Sequence, residues 1–422
     1  MAMFAMFQRS RLGKFIIFLV FLVIVLQVFH MSLLTRLEAK EALNRHKGPV
    51  DRQLKVNTLP EIVDDMEEKV RNSHRLDYSG TYHVIANLLT AESHDPGQNR
   101  DDLAIVTQCS SNHLHHLSHL SQVWDGPISV TVFTFDNNIE TALNHIVKLY
   151  LCREKIRKTT SFHLVYPLDR APRSLSESWK AVNSCEEDMS VDREKAPNYA
   201  IEGIEYPQNL LRNLAIKNSA TSLVFMVDID MVPSENLHGD FLYLWRTALK
   251  ARGNETKDTV FVVPVFEVKE GVTVPDTKPN LIGALDRAEV RPFYIDPCSP
   301  CQTFTNYPKW VSLTHSKGMQ VAYYINWKYS WEPFYIAAKG MPLYDERFKQ
   351  YGYNRISQVC ELHVSGYQFA VLNNAFLAHR GFKRRGDFHA TKNQELTKNK
   401  ILFTKFKDEL KVKYPNSTGT CL

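Results

Sequence analysis

The stretch SLVFMVDIDMVPSE, residues 222–235, starts as a run of apolar residues and ends in two closely spaced carboxylates, Asp228 and Asp230. The apolar run up to Asp228 predicts a β-strand. An isolated carboxylate is strongly destabilised when it leaves water, unless a positive charge or hydrogen bonds compensate it. The stretch therefore predicts a cation beside the end of this strand.

Strand and helix patterns alternate along the chain around this stretch. Further strands are predicted at 102–109, 127–135, 161–167 and 258–268, and helices at 110–124, 139–150, 206–220 and 234–251. Such alternation indicates an α/β fold with a mixed, mostly parallel, Rossmann-like sheet that carries helices on both faces. Ligands bind at the carboxyl ends of the strands in these sheets, so the position of Asp228 indicates a ligand site.

The composition excludes several classes of protein. With 422 residues, 44% of them hydrophobic, the chain can form a large core and is neither disordered nor repetitive. The net charge of +5 is spread along the chain without a basic stripe, which argues against nucleic-acid binding. Aromatic residues and prolines are dense in 270–415. This density is typical of a core, but sugar rings also stack on aromatic side chains, so a saccharide site is the alternative.

The N-terminal segment has the character of a membrane anchor. Residues 15–35 contain no charged side chain and are long enough for the roughly 20 residues that a helix needs to cross a bilayer. Arg9, Arg11 and Lys14 precede this segment, so the positive-inside rule places the N-terminus in the cytosol and the rest of the chain in the lumen. A cleaved signal peptide and a buried helix are the alternatives.

We therefore predict a type II membrane protein with four parts. They are a cytosolic tail at 1–14, a signal anchor at 15–35, a stem at 36–75 that contains the helical stretch LPEIVDDMEEKVRNS, and a lumenal catalytic domain at 76–422. In that domain the nucleotide-binding part is predicted at about 100–235 and the acceptor-binding part at about 236–415. Asn254 and Asn416 begin acceptor sequons for N-glycans.

The cysteines are few for so long a chain. Seven are too few for a disulfide scaffold, although an oxidising lumen would allow some of them to pair. Cys298-Ser-Pro-Cys301 has the spacing of a zinc or thioredoxin motif, but no second pair accompanies it and it lies in a proline-rich stretch. We expect a structural disulfide or unpaired loop cysteines there.

The triplet Asp228-Ile-Asp230 is the only Asp-x-Asp in the chain. Asp also caps helices, and Pro233 and Ser234 indicate a helix start just beyond it, so capping is the alternative interpretation. Two hard oxygen ligands at a strand end suit manganese or magnesium, which in turn neutralises the diphosphate of a nucleotide-sugar. The metal would stabilise the negative charge that grows on the departing diphosphate.

Further parts of such a site must come from elsewhere in the chain. His379 is the candidate for another metal ligand and Lys383 for a phosphate contact, although a lone histidine is more often structural. Arg212 and Asn213 would face the nucleotide, with a solvated helix face as the alternative. A histidine cluster could mimic a metal site but more simply forms the exposed side of an amphipathic helix. It comprises His113, His115, His116 and His119.

Several segments carry a resemblance to a known family. They are YPQNLLRNLA (206–215), VDIDMVPSE (227–235), EVRPFY (289–294) with CSPCQTFTNY (298–307), WEPFY (331–335), YDERFKQYGYNRISQ (344–358) with CELHVSGY (360–367), and AHRGFK (378–383). Across 75–415 the chain resembles the GT-A glycosyltransferase family that contains β-1,4-glucuronyltransferases of the dystroglycan O-mannosyl glycan pathway and the second catalytic domain of the LARGE-type matriglycan synthases.

The resemblance carries implications for the site and for the reaction. It implies that Asp228 and Asp230 bind manganese and the UDP-sugar, and that His379 is the further metal ligand, with magnesium as an alternative ion. It implies UDP-glucuronate as donor and a xylose-terminated glycan of dystroglycan as acceptor, in a β1,4 transfer that primes matriglycan extension. It also implies a Golgi location and association with LARGE-type glycosyltransferases.

The implied stereochemistry restricts the mechanism. An α-linked donor and a β-linked product require one in-line displacement, in which a carboxylate takes the proton of the acceptor hydroxyl. Glu332 is the first candidate for this base, Asp345 the second and Glu346 the third, although each could instead bind acceptor hydroxyls or pair with an arginine. Arg291 is the candidate for binding the donor carboxylate, with a structural ion pair as the alternative.

Three other functions are compatible with the sequence. The first is a β-1,3-N-acetylglucosaminyltransferase that uses UDP-N-acetylglucosamine on lactosamine chains and has no arginine or lysine near C6 of the donor sugar. The second is a non-catalytic Golgi partner of another transferase, which has no reason to retain Asp228, Asp230 and His379. The third is a membrane-tethered lectin, which does not need a diphosphate site.

Overall fold

The computed structural model describes residues 59–72, 75–93, 100–136, 138–171, 203–250, 258–314 and 318–421. It also describes a few shorter pieces of the chain. The chain divides into two compact units, 1–62 and 63–422. Apart from Gln27, the predicted membrane span at 15–35 lies outside the described residues. Among the helices that are described, none is long and apolar enough to cross a bilayer.

Strands and helices follow the predicted alternation up to the Asp-x-Asp triplet. The strands are β1 (Tyr82–Leu89), β2 (Arg100–Ser110), β3 (Ile128–Phe133), β4 (Thr160–Pro167), β5 (Thr221–Met226), β6 (Met231–Pro233), β7 (Thr259–Val263), β8 (Val265–Val268), β9 (Val290–Pro292), β10 (Gln320–Ile325), β11 (Phe334–Ala338), β12 (Gln368–Asn373) and β13 (Leu377–Arg380). The helices are α1 (Leu59–Asn72), α2 (His116–Val123), α3 (Asn138–Cys152), α4 (Glu154–Thr159), α5 (Gln208–Asn218), α6 (Leu237–Leu244), α7 (Lys278–Asp286), α8 (Ser299–Thr303), α9 (Tyr307–Ser312), α10 (Asn354–Val364) and α11 (Lys392–Lys413). Helix α1 lies within the predicted helical stretch of the stem.

The large sheet is mixed rather than mostly parallel. In the described part of the chain its order is β1-β4-β3-β2-β5-β11-β7-β12-β10. Strands β4, β3, β2 and β5 are parallel to one another. Strand β11 runs antiparallel between β5 and β7, and the edge strands β1 and β10 are also antiparallel to their neighbours. Strands β7 and β12 also pair in parallel, so four of the eight neighbouring pairs in this order are parallel and the predicted mixed sheet is confirmed.

The predicted strand at 258–268 is in fact two strands in two different sheets. Strand β7 belongs to the large sheet, whereas β8 belongs to a smaller sheet of order β6-β13-β8-β9. Pro264 separates them, because a proline has no N–H to donate to a strand ladder. Its carbonyl still accepts a hydrogen bond from the Leu377 N–H at 2.9 Å, so the turn connects the two sheets.

The small sheet lies where three strands of the large sheet end. Strands β5, β7 and β12 run in the same direction, and short connections lead from them into β6, β8 and β13. Asp228 and Asp230 lie in the first of these connections, and His379 lies in β13 opposite Met231 of β6. The pairing of β6 with β13 therefore brings Asp230 beside His379, although 149 residues separate them in sequence.

The aromatic residues of the second half have both of the roles considered for them. Trp310, Trp331 and Tyr335 are fully buried in the main core cluster. Tyr294 and Tyr351, in contrast, line an open cleft. A core explains most of the aromatic density, and the remainder is available to a ligand.

The cysteines form three disulfides in the structure. Cys298 and Cys301 are paired, which confirms a disulfide rather than a zinc or thioredoxin motif. The other two bridges join Cys152 to Cys185 and Cys360 to Cys421. Cys109 is free and buried, and burial raises the pKa of its thiol.

One buried amide fixes the loop that precedes α10. The side-chain nitrogen of Asn399 in α11 donates at 2.9 Å to the carbonyls of Lys349, Tyr351 and Gly352. Asn399→Ala would leave buried carbonyls without a donor and is expected to lower the free energy of unfolding by about 1–3 kcal/mol. Denaturant unfolding of the full chain measures the change, with the exposed Gln394→Ala on the same helix as the control. Equal stability of the two variants would contradict this role.

Candidate active site

A cleft of about 690 Å³ opens beside the small sheet. Its volume falls in the range of about 300–1,000 Å³ that is typical of small-ligand sites. Six of the predicted site residues line it, namely Arg212, Asp228, Asp230, Glu332, His379 and Lys383. Asn213, Arg291 and Asp345 are not among its lining residues.

Asp230 and His379 form a close pair in the cleft. The Nε2 atom of His379 lies 3.2 Å from Oδ2 of Asp230. The Nδ1 atom lies 2.9 Å from the carbonyl oxygen of Gly381 and must donate to it, because a carbonyl can only accept. In the neutral ring Nε2 then presents a lone pair to a carboxylate oxygen. Two such lone pairs need a cation between them, either a proton or a metal ion.

The geometry of this pair fits a divalent metal ion. Neighbouring ligands of one octahedral ion, each at about 2.1 Å from it, lie about 3 Å apart. The 3.2 Å between Nε2 and Oδ2 is close to that value. A histidine whose other nitrogen donates to a backbone carbonyl is also the usual form of a metal ligand, because the donation fixes the tautomer and the ring orientation.

The charges around Asp230 keep it ionised. Burial raises the pKa of its carboxyl, but the hydrogen bond and charge of His379 and the charges of Lys383 and His116 lower it by more. The net result is a pKa below the usual value. Asp230 is therefore a carboxylate at neutral pH and can bind a cation.

Asp228 has a different neighbourhood from Asp230. Its carboxylate accepts hydrogen bonds from Nη2 of Arg355 at 2.9 and 3.0 Å, and Nη2 of Arg212 lies 3.5 Å away. Among the described residues, no group of three His, Cys, Asp or Glu side chains is close enough to hold a metal ion. The carboxylate of Asp228 is thus engaged by arginine, whereas that of Asp230 faces a histidine.

The two predicted nucleotide contacts on α5 differ in position. Arg212 is buried at the cleft, where it donates to Asn354 at 2.8 Å besides approaching Asp228. Asn213 is buried away from it and donates to the carbonyl of Tyr344 at 2.8 Å. Neither residue lies on a solvated helix face. We therefore retain Arg212 as a ligand contact and assign Asn213 to the structure of the fold.

The three candidate bases differ in their hydrogen-bond and ion-pair partners. Asp345 pairs with Arg347, and Glu346 accepts from Asn213 at 2.8 Å. The carboxylate of Glu332 lies in the cleft, and no described residue donates a hydrogen bond to it. Burial raises the pKa of Glu332, the charges of Arg355 and Arg212 oppose this rise, and the net pKa is above its usual value. Glu332 alone is placed to accept a proton from a ligand.

The backbone of Glu332 is held by the disulfide segment. Its N–H donates to the carbonyl of Cys301 at 2.8 Å, and its own carbonyl accepts from the side-chain amide of Gln302 at 2.7 Å. Cys298 and Cys301 both line the cleft. The paired cysteines therefore position the segment that carries the candidate base.

Arg291 is committed to a structural ion pair. Its Nε donates to Glu267 at 2.7 Å, and its Nη2 donates to the carbonyl of Lys383 at 2.7 Å. The guanidinium also lies over the ring of Phe382. Glu267 is fully buried, so removing its partner would leave an uncompensated buried charge. The structure thus shows the ion pair that was the alternative interpretation of Arg291, and Arg291 does not line the cleft.

The histidine cluster lies nearer the candidate metal site than its sequence suggested. The rings of His115 and His116 are 4.1 Å apart, and His119 lies 3.1 Å from the guanidinium of Arg380. The charge of His116 acts on Asp230. The cluster is thus partly enclosed rather than a fully exposed helix face. Only the packing of α2 against β6 reveals this, and no sequence pattern indicated it.

Residues to which no ligand-binding role had been assigned also contribute to the cleft. Arg355 follows the YGYN segment and reaches Asp228 from α10. Phe388 lies between β13 and α11, and Lys392 is the first residue of α11. Proximity to the AHRGFK segment was the only sequence signal for the last two.

Comparison with known proteins places this cleft in a family. Residues 102–415 match the model of the family described as "Glycosyl-transferase for dystroglycan". The chain belongs to this glycosyltransferase family. The Danio rerio protein named beta-1,4-glucuronyltransferase 1 is 39% identical over 416 residues, which are 94% of this chain and 95% of that protein. The resemblance inferred from the sequence segments is thereby confirmed.

Two more distant similarities complete the comparison of this glycosyltransferase. The human protein named xylosyl- and glucuronyltransferase LARGE1 is 26% identical over 287 residues, which are 68% of this chain and 32% of that protein. The crystal structure of S. aureus TarS 1–349 in complex with UDP-GlcNAc matches with a TM-score of 0.37 and 12% identity, over 75% of this chain and 67% of that chain.

Metal binding provides the first test of the site. His379→Gln removes the imidazole nitrogen beside Asp230 and is expected to weaken Mn²⁺ binding to the full chain by at least about tenfold. Titration calorimetry with Mn²⁺ measures the affinity. His119→Gln, which alters the histidine cluster without touching the pair, is the matched control. A loss of equal size in that control would assign the ion to the histidine cluster.

Proposed function

We propose that this glycosyltransferase moves glucuronate from UDP-glucuronate, in β1,4 linkage, onto a xylose-terminated O-mannosyl glycan of dystroglycan. The pairing of Asp230 with His379 in a cleft at the strand ends carries the proposal, because it provides a diphosphate site in a chain of this family. The name of the 39% identical relative supports the choice of sugar. The mixed sheet and the position of the Asp-x-Asp triplet support a GT-A fold.

The residues of the cleft suit a nucleotide-sugar. Asp230 and His379 would hold a divalent ion, manganese or magnesium, which supplies neutralisation of the charge on the departing diphosphate. Lys383 lines the same part of the cleft, where its ammonium can meet a phosphate oxygen as a point charge. Arg212 is buried beside Asp228 and also lines the cleft, where it can contact the nucleotide.

Glu332 would act as the base of an inverting transfer. The acceptor hydroxyl attacks the anomeric carbon from the face opposite the departing UDP, and its proton passes to the Glu332 carboxylate. A partner-free carboxylate whose pKa lies above its usual value is a better proton acceptor than the paired Asp345 or Glu346. A single displacement of this kind forms no covalent intermediate with the protein.

We also propose a Golgi membrane location, with the catalytic domain in the lumen. The uncharged segment 15–35 and the basic residues before it support this topology. Three disulfides suit an oxidising compartment. Asn416 is exposed and accessible to N-glycosylation, whereas Asn254 lies outside the described residues. The product would end in glucuronate, which a LARGE-type enzyme would then extend.

A donor panel tests the reaction. The full chain is expected to transfer glucuronate, and no other sugar, from UDP-sugars to a β-xyloside in the presence of Mn²⁺. EDTA and Asp230→Asn are each expected to lower the rate by at least about 100-fold, because EDTA removes the ion that neutralises the diphosphate and the substitution removes one of its ligands. Transfer of N-acetylglucosamine instead would favour the alternative donor. No transfer from any donor would favour a non-catalytic partner.

Replacing the candidate base tests the mechanism. Glu332→Gln is expected to lower kcat by about 10²–10⁴-fold with little change in binding of UDP. In the unchanged protein the rate should fall as the pH drops through the raised pKa of Glu332, because the protonated form cannot accept a proton. This acid limb should disappear in the variant. Asp345→Asn is the matched control, and a larger loss of kcat there would transfer the role to Asp345.

A further inference from the structure

The cleft has an aromatic half distinct from the half around Asp230. The hydroxyls of Tyr294 and Tyr351 lie 3.3 Å apart, and the ring of Phe388 meets both tyrosine rings edge-on, with centroids 6.0 and 5.2 Å away. Glu332 lies near this group, since its charge contributes to the raised pKa of both tyrosines. The aromatic half is therefore beside the candidate base, where the sugars of a transfer reaction must meet.

The backbone that carries these rings is constrained. Tyr294 has a φ of 62°, and Gln350 and Gly352, on either side of Tyr351, have φ values of 61° and 91°. The N–H of Tyr351 donates to Glu395 of α11 at 3.1 Å. Non-glycine residues adopt positive φ at some energetic cost, which is common at ligand sites and is maintained by surrounding contacts. The aromatic half is thus a formed surface rather than a loose loop.

Lys392 brings a positive charge to this surface. Its ammonium lies 3.3 Å from the centroid of the Phe388 ring and 4.6 Å from that of Tyr351. The side chain is half-buried, and burial lowers the pKa of the ammonium. In the described part of the chain it forms no ion pair, since the neighbouring Glu395 is bonded to His389. A half-desolvated ammonium between rings favours an anionic ligand.

The other cations of the cleft already have roles. Arg355 and Arg212 compensate Asp228. Lys383 acts on Asp230, at the diphosphate end. Arg291 is bonded to Glu267 and does not line the cleft. Lys392 is therefore the lining cation left for a charge on the sugar.

We infer that Lys392, held over Phe388 and Tyr351, binds the carboxylate of the donor glucuronate and thereby selects the donor sugar. The inference rests on the proposed function. The acceptor sugar in that proposal is xylose, which is uncharged and has no C6 group. The C6 carboxylate is thus the one charged group on either reacting sugar. The three rings would pack against the apolar face of the sugar while the ammonium meets its carboxylate.

Binding of three ligands to the full chain tests this assignment. UDP-glucuronate carries a sugar with a carboxylate at C6, and UDP-glucose carries a sugar with an alcohol at the same carbon. UDP has no sugar. Titration calorimetry in the presence of Mn²⁺ gives the three affinities for the wild type, Lys392→Met, Lys392→Arg and the control Lys383→Met. The methionine retains an apolar stem over the rings, and thermal unfolding confirms that each variant is folded.

The expected pattern is selective. Lys392→Met should lower the affinity for UDP-glucuronate by about 10- to 100-fold and change the affinity for UDP by less than about twofold, because only UDP-glucuronate has a sugar carboxylate. Lys392→Arg should preserve most of the preference for glucuronate over glucose. Lys383→Met should lower the affinity for all three ligands by a similar factor, because each of them contains the diphosphate that Lys383 would contact.

Other outcomes separate the two proposals. The role of Lys392 would be overturned if the Lys392→Met variant still bound UDP-glucuronate more tightly than UDP-glucose. It would also be overturned if the variant lost as much affinity for UDP as for UDP-glucuronate. Neither result would contradict UDP-glucuronate as the proposed donor. A raised KM for the xyloside in that variant, with donor binding unchanged, would move Lys392 to the acceptor. A wild-type protein without preference for UDP-glucuronate would contradict the proposed donor itself, and the inference with it.

Discussion

The two carboxylates at the end of β5 cannot lie in a partly buried cleft without positive charge beside them, and the rest of the site follows from this constraint. Asp228 is compensated by arginines from α5 and α10, and Asp230 by a histidine from β13. These charges hold two helices and a strand of the second sheet against one strand end. The arginines thus provide protein cations for Asp228, whereas Asp230 and His379 can share a proton or a metal ion.

Strand pairing in the small sheet brings together residues that are far apart in the sequence. The chain leaves the large sheet at the ends of β5, β7 and β12 and pairs again within a few residues. Groups that lie in or beside strands are positioned more rigidly than groups on free loops. The Asp230–His379 distance is therefore determined by the β6–β13 ladder. The loop that carries Tyr351 is held instead by the side chains of Asn399 and Glu395 in α11.

Local patterns predicted β2 to β5 and the helices α2, α3 and α5, because each is a continuous apolar run or has helical spacing, whereas β1 and α4 were not predicted. Pro264 was visible in the sequence, but the apolar residues on both sides of it concealed the change of sheet. The carboxylate pair could be identified from the sequence, whereas His379 was identified through the family segments. The contacts of Arg291 with Glu267 and of Asn213 with Tyr344 could not be foreseen, because these partners approach only in the folded chain. For the same reason Lys392 was not recognised.

The bridge between Cys298 and Cys301 has a consequence for how the protein is made. A disulfide that closes so short a loop removes little entropy from the unfolded chain, so it adds little to global stability by that route. Its effect is local, since the Cys301 carbonyl and the Gln302 side chain hold the backbone of Glu332. A preparation in which only this bridge is reduced, while the two longer-range bridges stay intact, would therefore fold with nearly normal stability yet lack a constraint on its base. Such a preparation would pass a thermal-shift assay and still be a poor enzyme.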